Sequence, residues 1–447
     1  MRIAAGLWLL SCGLAPAAEA PSAGIDALVD RELPSLLTAY KALHAAPELS
    51  HHEANTSALL ARELRAAGFD VTERVGKYAR PEWVGYGVVA VLKNGPGPTV
   101  LVREDMDALP VEEKTGLPYA SSVHTRNDAG QDVGVMHACG HDIHVATLVG
   151  TARVLAAVKD RWRGTLVLIG QPAEETIDGA KAMLDDGLYT RFGRPDFAVS
   201  LHDSAQLETG KVSWTPGFAS ASSTSVEVVM RGRGGHGSRP EDTKDPIVMA
   251  AEFVLALQTI VSRENRPFDP VVVSVGAIHG GAKANIIPDE VTLLLTVRTY
   301  KEDVRTRVLA SIERIARGVA LAAGVPPEMA PRATALEYTP ALYNDPGLAR
   351  RLATAFAATL GKDNVIEGSP VMSSEDFGRF ALEDHSIPAV QFNVGAVDPA
   401  RVAESTRTGT PLPSLHSSLF APLPAPTLRT AIRAMTAGVL DLMKPRP

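Results

Sequence analysis

Along the first half of the chain the apolar positions follow two periods. Spacings of three and four residues over Ile25–Leu43, Glu53–Ala67 and His144–Val158 predict helices, while short apolar runs at Tyr86–Leu92, Thr99–Arg103, Thr165–Ile169 and Phe197–Leu201 predict buried strands. Their alternation is the signature of an α/β sheet. From Ser225 the order changes to strand Ser225–Met230, helix Ile247–Val261, strand Val271–Ile278, strand Val291–Thr299, helix Val304–Ala322 and a weak last strand near Pro327–Arg332. That βαββαβ order predicts a ferredoxin-like unit. After about Ala333 the first pattern resumes, with helix Pro346–Leu360, strand Ala389–Asn393 and a terminal helix Thr427–Met443, so the small unit is an insertion in the larger one. The expected division is a signal segment over 1–20, a first part of the large domain over 21–214, the insertion over 215–332 and a second part over 333–447.

Composition narrows the classes. A chain of 447 residues has length for two or three domains, and 45% apolar with 21% charged residues is ordinary for a globular protein. Lys+Arg of 44 against Asp+Glu of 51 leaves −7 with no long run of either sign, so a nucleic-acid partner is not expected. Met1-Arg2, the apolar stretch Ile3–Ser11 and the small residues through Ala20 have the pattern of a secretory signal peptide, with cleavage favoured after Ala17, and point to a periplasmic or secreted protein. Leu9-Leu10-Ser11-Cys12 also has the form of a lipoprotein box, which would anchor the protein by Cys12. No second apolar run approaches the roughly 18 residues of a transmembrane helix. The cysteines are Cys12 and Cys139, and with Cys12 in a removable segment no internal disulfide is expected.

Metal-binding residue types collect just after the predicted strands. Thr99–Arg103 runs into Glu104-Asp105-Met106-Asp107, Thr165–Ile169 into Gln171-Pro172-Ala173-Glu174-Glu175, and Phe197–Leu201 into His202-Asp203; a fourth cluster, His137 to His144, precedes a helix. In an open α/β sheet such strand ends share the edge where ligands bind. Cys139 and His141 flank a glycine that permits a tight turn, and the neighbouring Glu174 and Glu175 point in different directions, so one carboxylate can hold a metal while the other handles a water proton. The donor types suit zinc, manganese, cobalt or nickel.

The motifs His44-Ala-Ala-Pro47-Glu48-Leu49-Ser50, Asp105-Met-Asp107-Ala-Leu-Pro110, Met136-His-Ala-Cys139-Gly-His141-Asp142, Gln171-Pro-Ala-Glu174-Glu175 and Leu201-His202 are followed by Gly234-Gly-His236, Asn285-Ile-Ile-Pro288, Ser374-Glu375-Asp376-Phe377 and Leu415-His416-Ser417. In this order they resemble the co-catalytic metallopeptidase family of aminoacylases and carboxypeptidases, in the branch of hippurate hydrolases and indole-3-acetyl-amino-acid hydrolases. The resemblance implies an open mixed-sheet, zinc-peptidase-like catalytic domain with the βαββαβ insertion as a lid through which copies could associate. It implies two divalent ions held by Cys139, His141, Glu175, His202 and His416, with Glu174 as catalytic base and Asp107 behind a metal-binding histidine. His236, Asn285 and Arg298 match positions that face the substrate, His236 as an oxyanion donor and Arg298 as a carboxylate clamp. The expected reaction is hydrolysis of an N-acyl amino acid or similar small amide. A dipeptidase or metallocarboxypeptidase is the alternative within the class, and a non-catalytic metal- or ligand-binding relative the alternative outside it. Departures fall at Glu104, at Asp203–Leu207 and in the serine-rich stretch Ala219–Ser225, all bearing on substrate preference. Gly232-Arg-Gly234-Gly-His-Gly237 fits a dinucleotide fingerprint by spacing alone, but Ser238-Arg239-Pro240 stands where its helix should begin.

Overall fold

A computed structural model describes residues 23–445; the expected signal segment, Cys12 included, lies outside the described residues. The large unit is an eight-stranded mixed sheet in the order Asp70–Val75, Gly87–Asn94, Gly164–Gln171, Thr99–Asp105, Phe197–Glu208, Ala389–Val397, Val212–Trp214 and Val365–Glu367. Its four central strands are parallel, in the register Val102↔Leu168, Val102↔Val199 and Phe392↔Leu201. Such strands are covered on both faces, which is why they read as continuous apolar runs. One face packs against helices Ala23–Ala45, His141–Ala157 and Pro424–Leu442, burying Leu36, Leu148, Trp162 and Met435. The other buries Leu101, Ile169, Phe377 and Phe380 beneath shorter segments.

Three boundaries differ from expectation. The His141–Ala157 helix starts three residues early because Gly140 takes the left-handed conformation at φ +78° and turns the chain directly into it. The expected Phe197–Leu201 strand runs on to Glu208, so His202 lies inside a strand, opposite Asn393. The Asp70–Val75 strand was not expected at all; it is an edge strand whose mostly accessible positions leave no apolar run to detect.

The insertion forms a four-stranded antiparallel sheet in the order Val271–His279, Glu290–Thr299, Ser222–Arg231 and Arg332–Thr339, the strand order of a ferredoxin-like fold. Its last strand lies beyond the expected Pro327–Arg332, because Pro327–Met329 forms a 3-10 turn. Helices Pro246–Thr259 and Glu302–Ala322 cover one face, burying Phe253, Leu257, Ile312, Val228 and Leu293. The chain enters and leaves beside itself, where Gly217–Ser220 pairs with Leu342–Asn344 and the Asn344 amide donates to the carbonyls of Thr215 (2.8 Å) and Gln391 (2.9 Å). One helical stretch of the insertion, Pro246–Glu264, is long and apolar enough to cross a bilayer by length and composition. Met249, Phe253 and Leu257 bury one side of it, while Ile247, Val248 and Leu255 remain exposed.

Candidate metal centre and its cavity

The centre is assembled at the carboxyl ends of the parallel strands. Gly140 turns the chain between Cys139 and His141, and a Cβ there would come within 2.4 Å of Asp203 Oδ1, so both the backbone and the space demand glycine. The turn sends the Cys139 Sγ to 3.5 Å from His202 Nε2. His141 donates from Nδ1 to the Asp107 carbonyl at 2.8 Å, which leaves its Nε2 buried without a partner. His202 repeats the pattern, donating from Nδ1 to the Asp203 carbonyl at 2.7 Å. A backbone acceptor at Nδ1 fixes the tautomer that leaves the Nε2 lone pair free, as a metal-binding imidazole requires.

The two glutamates sit on a loop that resists relaxation. Ala173 and Ile177 hold left-handed φ of +53° and +56°, each costing roughly 1–3 kcal/mol. Two buried carboxylates clamp the strained backbone between them. Glu53 accepts from the Ala173 N–H at 2.8 Å, and Asp107 accepts from those of Glu174 (3.1 Å) and Glu175 (3.0 Å) while Ser50 donates to it at 2.6 Å. Glu175 Oε1 is buried and unpartnered, and its Oε2 lies 3.5 Å from His416 Nε2. His416 is tied to the cysteine turn by its own N–H, which donates to the Ala138 carbonyl at 2.8 Å.

The donor atoms of Cys139, His141 and His202 all lie within 4.8 Å of one another, as do those of Cys139, Glu175 and His416 and those of His141, Glu174 and Glu175. Burial, with Glu175, Glu174 and Asp203 nearby, pushes the Cys139 thiol up. Burial and the facing Glu375 push Glu174 up, and burial lifts Glu175 to about 7 despite His141 beside it. Acidic groups crowded around imidazole nitrogens with free lone pairs are a donor set that divalent cations would stabilise, since a bound cation favours the deprotonated form of each acid. The residues present therefore fit the two-ion site. His144 supports it from behind, with Nδ1 2.5 Å from Asp105 and Nε2 3.2 Å from Asp203. His137 is buried, among the described residues neither of its ring nitrogens has a partner, and burial lowers its pKa to about 4.

A group that the motifs did not single out underlies this edge. Arg103 is fully buried and donates to Gln171 (2.7 Å), Asp105 (2.7 Å), Glu375 (2.9 Å) and Asp376 (3.0 Å), joining two strands to the Glu375–Asp376 loop. The signal was present in the sequence as a cation at the end of the buried run Thr99–Arg103. His51 is buried, stacked on Trp83 at 3.7 Å between ring centroids, and 3.1 Å from Asp178.

Cys139, Glu174, Glu175, His202 and His416 line one end of a cavity of about 1120 Å³ that reaches the open face of the lid sheet, where Arg298 also lines it. Arg298 donates to Ser374 (2.6 Å) and Thr296 (3.1 Å), and among the described residues no carboxylate pairs with it. His236 and Asn285 are exposed and do not line the cavity: Gly235–His236 and Ile286–Ile287 pair as a surface ribbon in which His236 Nδ1 accepts from the Ser238 N–H at 3.1 Å. Contact of these two residues with substrate would require the ribbon to move.

Comparison with known proteins adds to this geometry. Residues 101–407 match the model of peptidase family M20/M25/M40. The chain is 38% identical over 345 residues to a hippurate hydrolase of Campylobacter jejuni, covering 76% of this chain and 82% of that protein. It is 36% identical over 341 residues to thermostable carboxypeptidase 1 of Saccharolobus solfataricus, covering 76% and 80%. The crystal structure of the Bacillus subtilis YXEP protein, a dinuclear metal-binding peptidase from the M20 family, is similar with a TM-score of 0.72 and 27% identity over 93% of this chain and 99% of that one.

Proposed function

The chain belongs to peptidase family M20/M25/M40 and is a metal-dependent amidohydrolase, and from that premise we propose that it hydrolyses N-acyl amino acids at the Cys139–His416 centre. The observation that carries this reading is the convergence of Cys139, His141, Glu175, His202 and His416 around unpartnered donor atoms, with the Glu174 carboxylate beside them in the same cavity. In this assignment those five residues hold two divalent ions, and Glu174, which the ions do not need, is the base. Bound cations there would lower the pKa of a water and polarise the amide carbonyl. Glu174 takes the proton of the attacking water and returns it to the amide nitrogen, whose bond to the acyl carbon then breaks. Asp107 keeps His141 and both glutamate N–H groups in place. Arg298 binds the substrate carboxylate, an assignment supported by its place in the cavity wall, where among the described residues no carboxylate pairs with it. His236 and Asn285 reach the carbonyl oxygen only when the lid closes.

Glu174→Gln keeps the side-chain shape without the basic oxygen. Turnover should fall by at least roughly 10²-fold while metal content is unchanged; near-normal turnover, or loss of both ions, would overturn the assignment. His236→Ala should lower kcat by a comparable factor with metal retained. Turnover on a panel of acyl-amino acids and dipeptides separates an aminoacylase from a carboxypeptidase, the name carried by one relative.

Two further parts of the reading are independent of catalysis. The signal pattern ahead of residue 23 supports export from the cytoplasm, which the N-terminal mass of the protein recovered from a periplasmic fraction would test. Self-association through the lid is supported by its edge strand Val271–His279 and by the exposed Ile247, Val248 and Leu255, and is tested by light scattering on an Leu255→Glu variant.

A further inference from the structure

Of the 33 residues lining the cavity, nine are serine and three are threonine, and none is Phe, Tyr or Trp. The hydroxyls occupy both walls. On the lid face, Ser223 and Ser225 lie opposite Arg298 and Thr296 across paired strands, with Ser225 also donating to Glu337 at 3.2 Å. On the other wall stand Ser213, Thr215 and the Ser373-Ser374 pair. Ser220 and Ser223 are only 8% and 5% exposed, and both line the cavity. A hydroxyl in a cavity wall is satisfied by water or by a ligand that offers it a hydrogen bond. Spacing alone explains the pattern poorly, since alanine would give the same room without a polar group to desolvate.

We propose, resting on the amidohydrolase reading, that this cavity selects amides whose non-reacting parts carry hydroxyl or amide groups, and selects against aryl and indolyl acyl groups. A flat aromatic acyl group placed here would find no ring to stack on and would strip water from hydroxyls it cannot satisfy. A polyhydroxylated or peptide-like group would replace that water bond for bond. Sites built to hydrogen-bond a substrate reject the analogue that lacks the partner far more strongly than apolar pockets reject an extra methylene. Ser220, Ser223 and Ser225 on the lid side therefore set specificity together with Ser213 on the other wall, while the reaction stays that of the metal centre.

The test compares kcat/KM of the metal-loaded full chain on glycine conjugates bearing D-glyceroyl, N-acetylseryl, benzoyl and indole-3-acetyl groups. The polar pair should exceed the aromatic pair by about 10²-fold. Ser213→Ala combined with Ser223→Ala should lower that ratio at least tenfold; in the bland alternative, where the serines are only small spacers, the ratio would not move. An aromatic preference, or a ratio unchanged by the double variant, overturns the proposal. Calorimetric binding of the same four conjugates to the metal-loaded Glu174→Gln variant needs no turnover and should give the same order. Ordered binding without hydrolysis of any conjugate by the wild-type chain would remove the hydrolase reading and leave the specificity intact, whereas hydrolysis with aromatic conjugates bound best would do the reverse.

Discussion

At the scale of single residues, the centre depends on pairing each donor with a second group that fixes it. His141 and His202 are oriented by backbone carbonyls, Glu174 and Glu175 by Asp107, and His416 by Ala138. Cys139 is the one donor whose protonation should report occupancy directly. Burial and the surrounding carboxylates hold the apo thiol above the ordinary thiol range, whereas coordination removes the proton and covers the sulfur. Alkylation of the apo-protein should then still accelerate at pH 9 and be several-fold faster than that of the metal-loaded protein. Equal rates with and without metal would mean that Cys139 is merely buried. Cys139, His141 and the Glu174–Glu175 pair stood out in the sequence as candidate donors because a cysteine two residues from a histidine and an adjacent glutamate pair are chemically conspicuous, whereas His416 entered only through the family resemblance. Arg103 showed there only as a cation closing a buried run, and its role was hidden because its four partners include residues as distant as Glu375 and Asp376. Removal of one member of such a buried charge network typically costs about 3–5 kcal/mol.

At the scale of elements, strand ends and helix starts deliver these residues to one edge. The junction at Gly140 is the sharpest case, because left-handed backbone and the Asp203 carboxylate coincide there. Gly68 is a natural control, with φ +90° and nothing within 4 Å of a would-be Cβ. Gly68→Ala should cost only the backbone term, about 1–2 kcal/mol. Gly140→Ala must also displace Asp203, which lies 3.2 Å from His144, and should lower Tm by more and weaken metal retention. Equal Tm losses with metal binding intact in both would refute the packing argument. Helices and parallel strands were readable because burial on one or two faces writes a period into the sequence. The Asp70–Val75 edge strand and the Arg332–Thr339 strand carry mostly accessible positions and write none.

At the scale of the whole molecule, the segments around the centre are tied together by buried charge. His44, in the last turn of the Ala23–Ala45 helix, lies 2.7 Å from Asp142 and 3.1 Å from Glu113, so one ring joins that helix, the His141–Ala157 helix and a loop. Burial alone would lower the His44 pKa, but the two carboxylates outweigh it and raise it to about 9. The folded value lies above the unfolded value of about 6.5, so the stabilisation is complete below pH 6.5 and is lost as pH rises toward 9. At about 1.4 kcal/mol per pKa unit the contribution is on the order of 3 kcal/mol. Unfolding of the metal-saturated protein between pH 6 and 9 should show a declining stability that His44→Gln flattens; parallel profiles for the two proteins would refute the linkage.

The sequence by itself determined the α/β class and the βαββαβ insertion and marked the candidate donor residues, because period and residue chemistry are local properties. Only the tertiary structure decided which groups meet. It placed Arg298 in the cavity wall and left His236 and Asn285 on the surface, joined Arg103 to Glu375 and Asp376, and turned a serine-rich stretch into one wall of the cavity facing hydroxyls on another. These outcomes depend on which strand ends share an edge and which sheet face stays uncovered, and such long-range contacts leave no period in the chain that makes them.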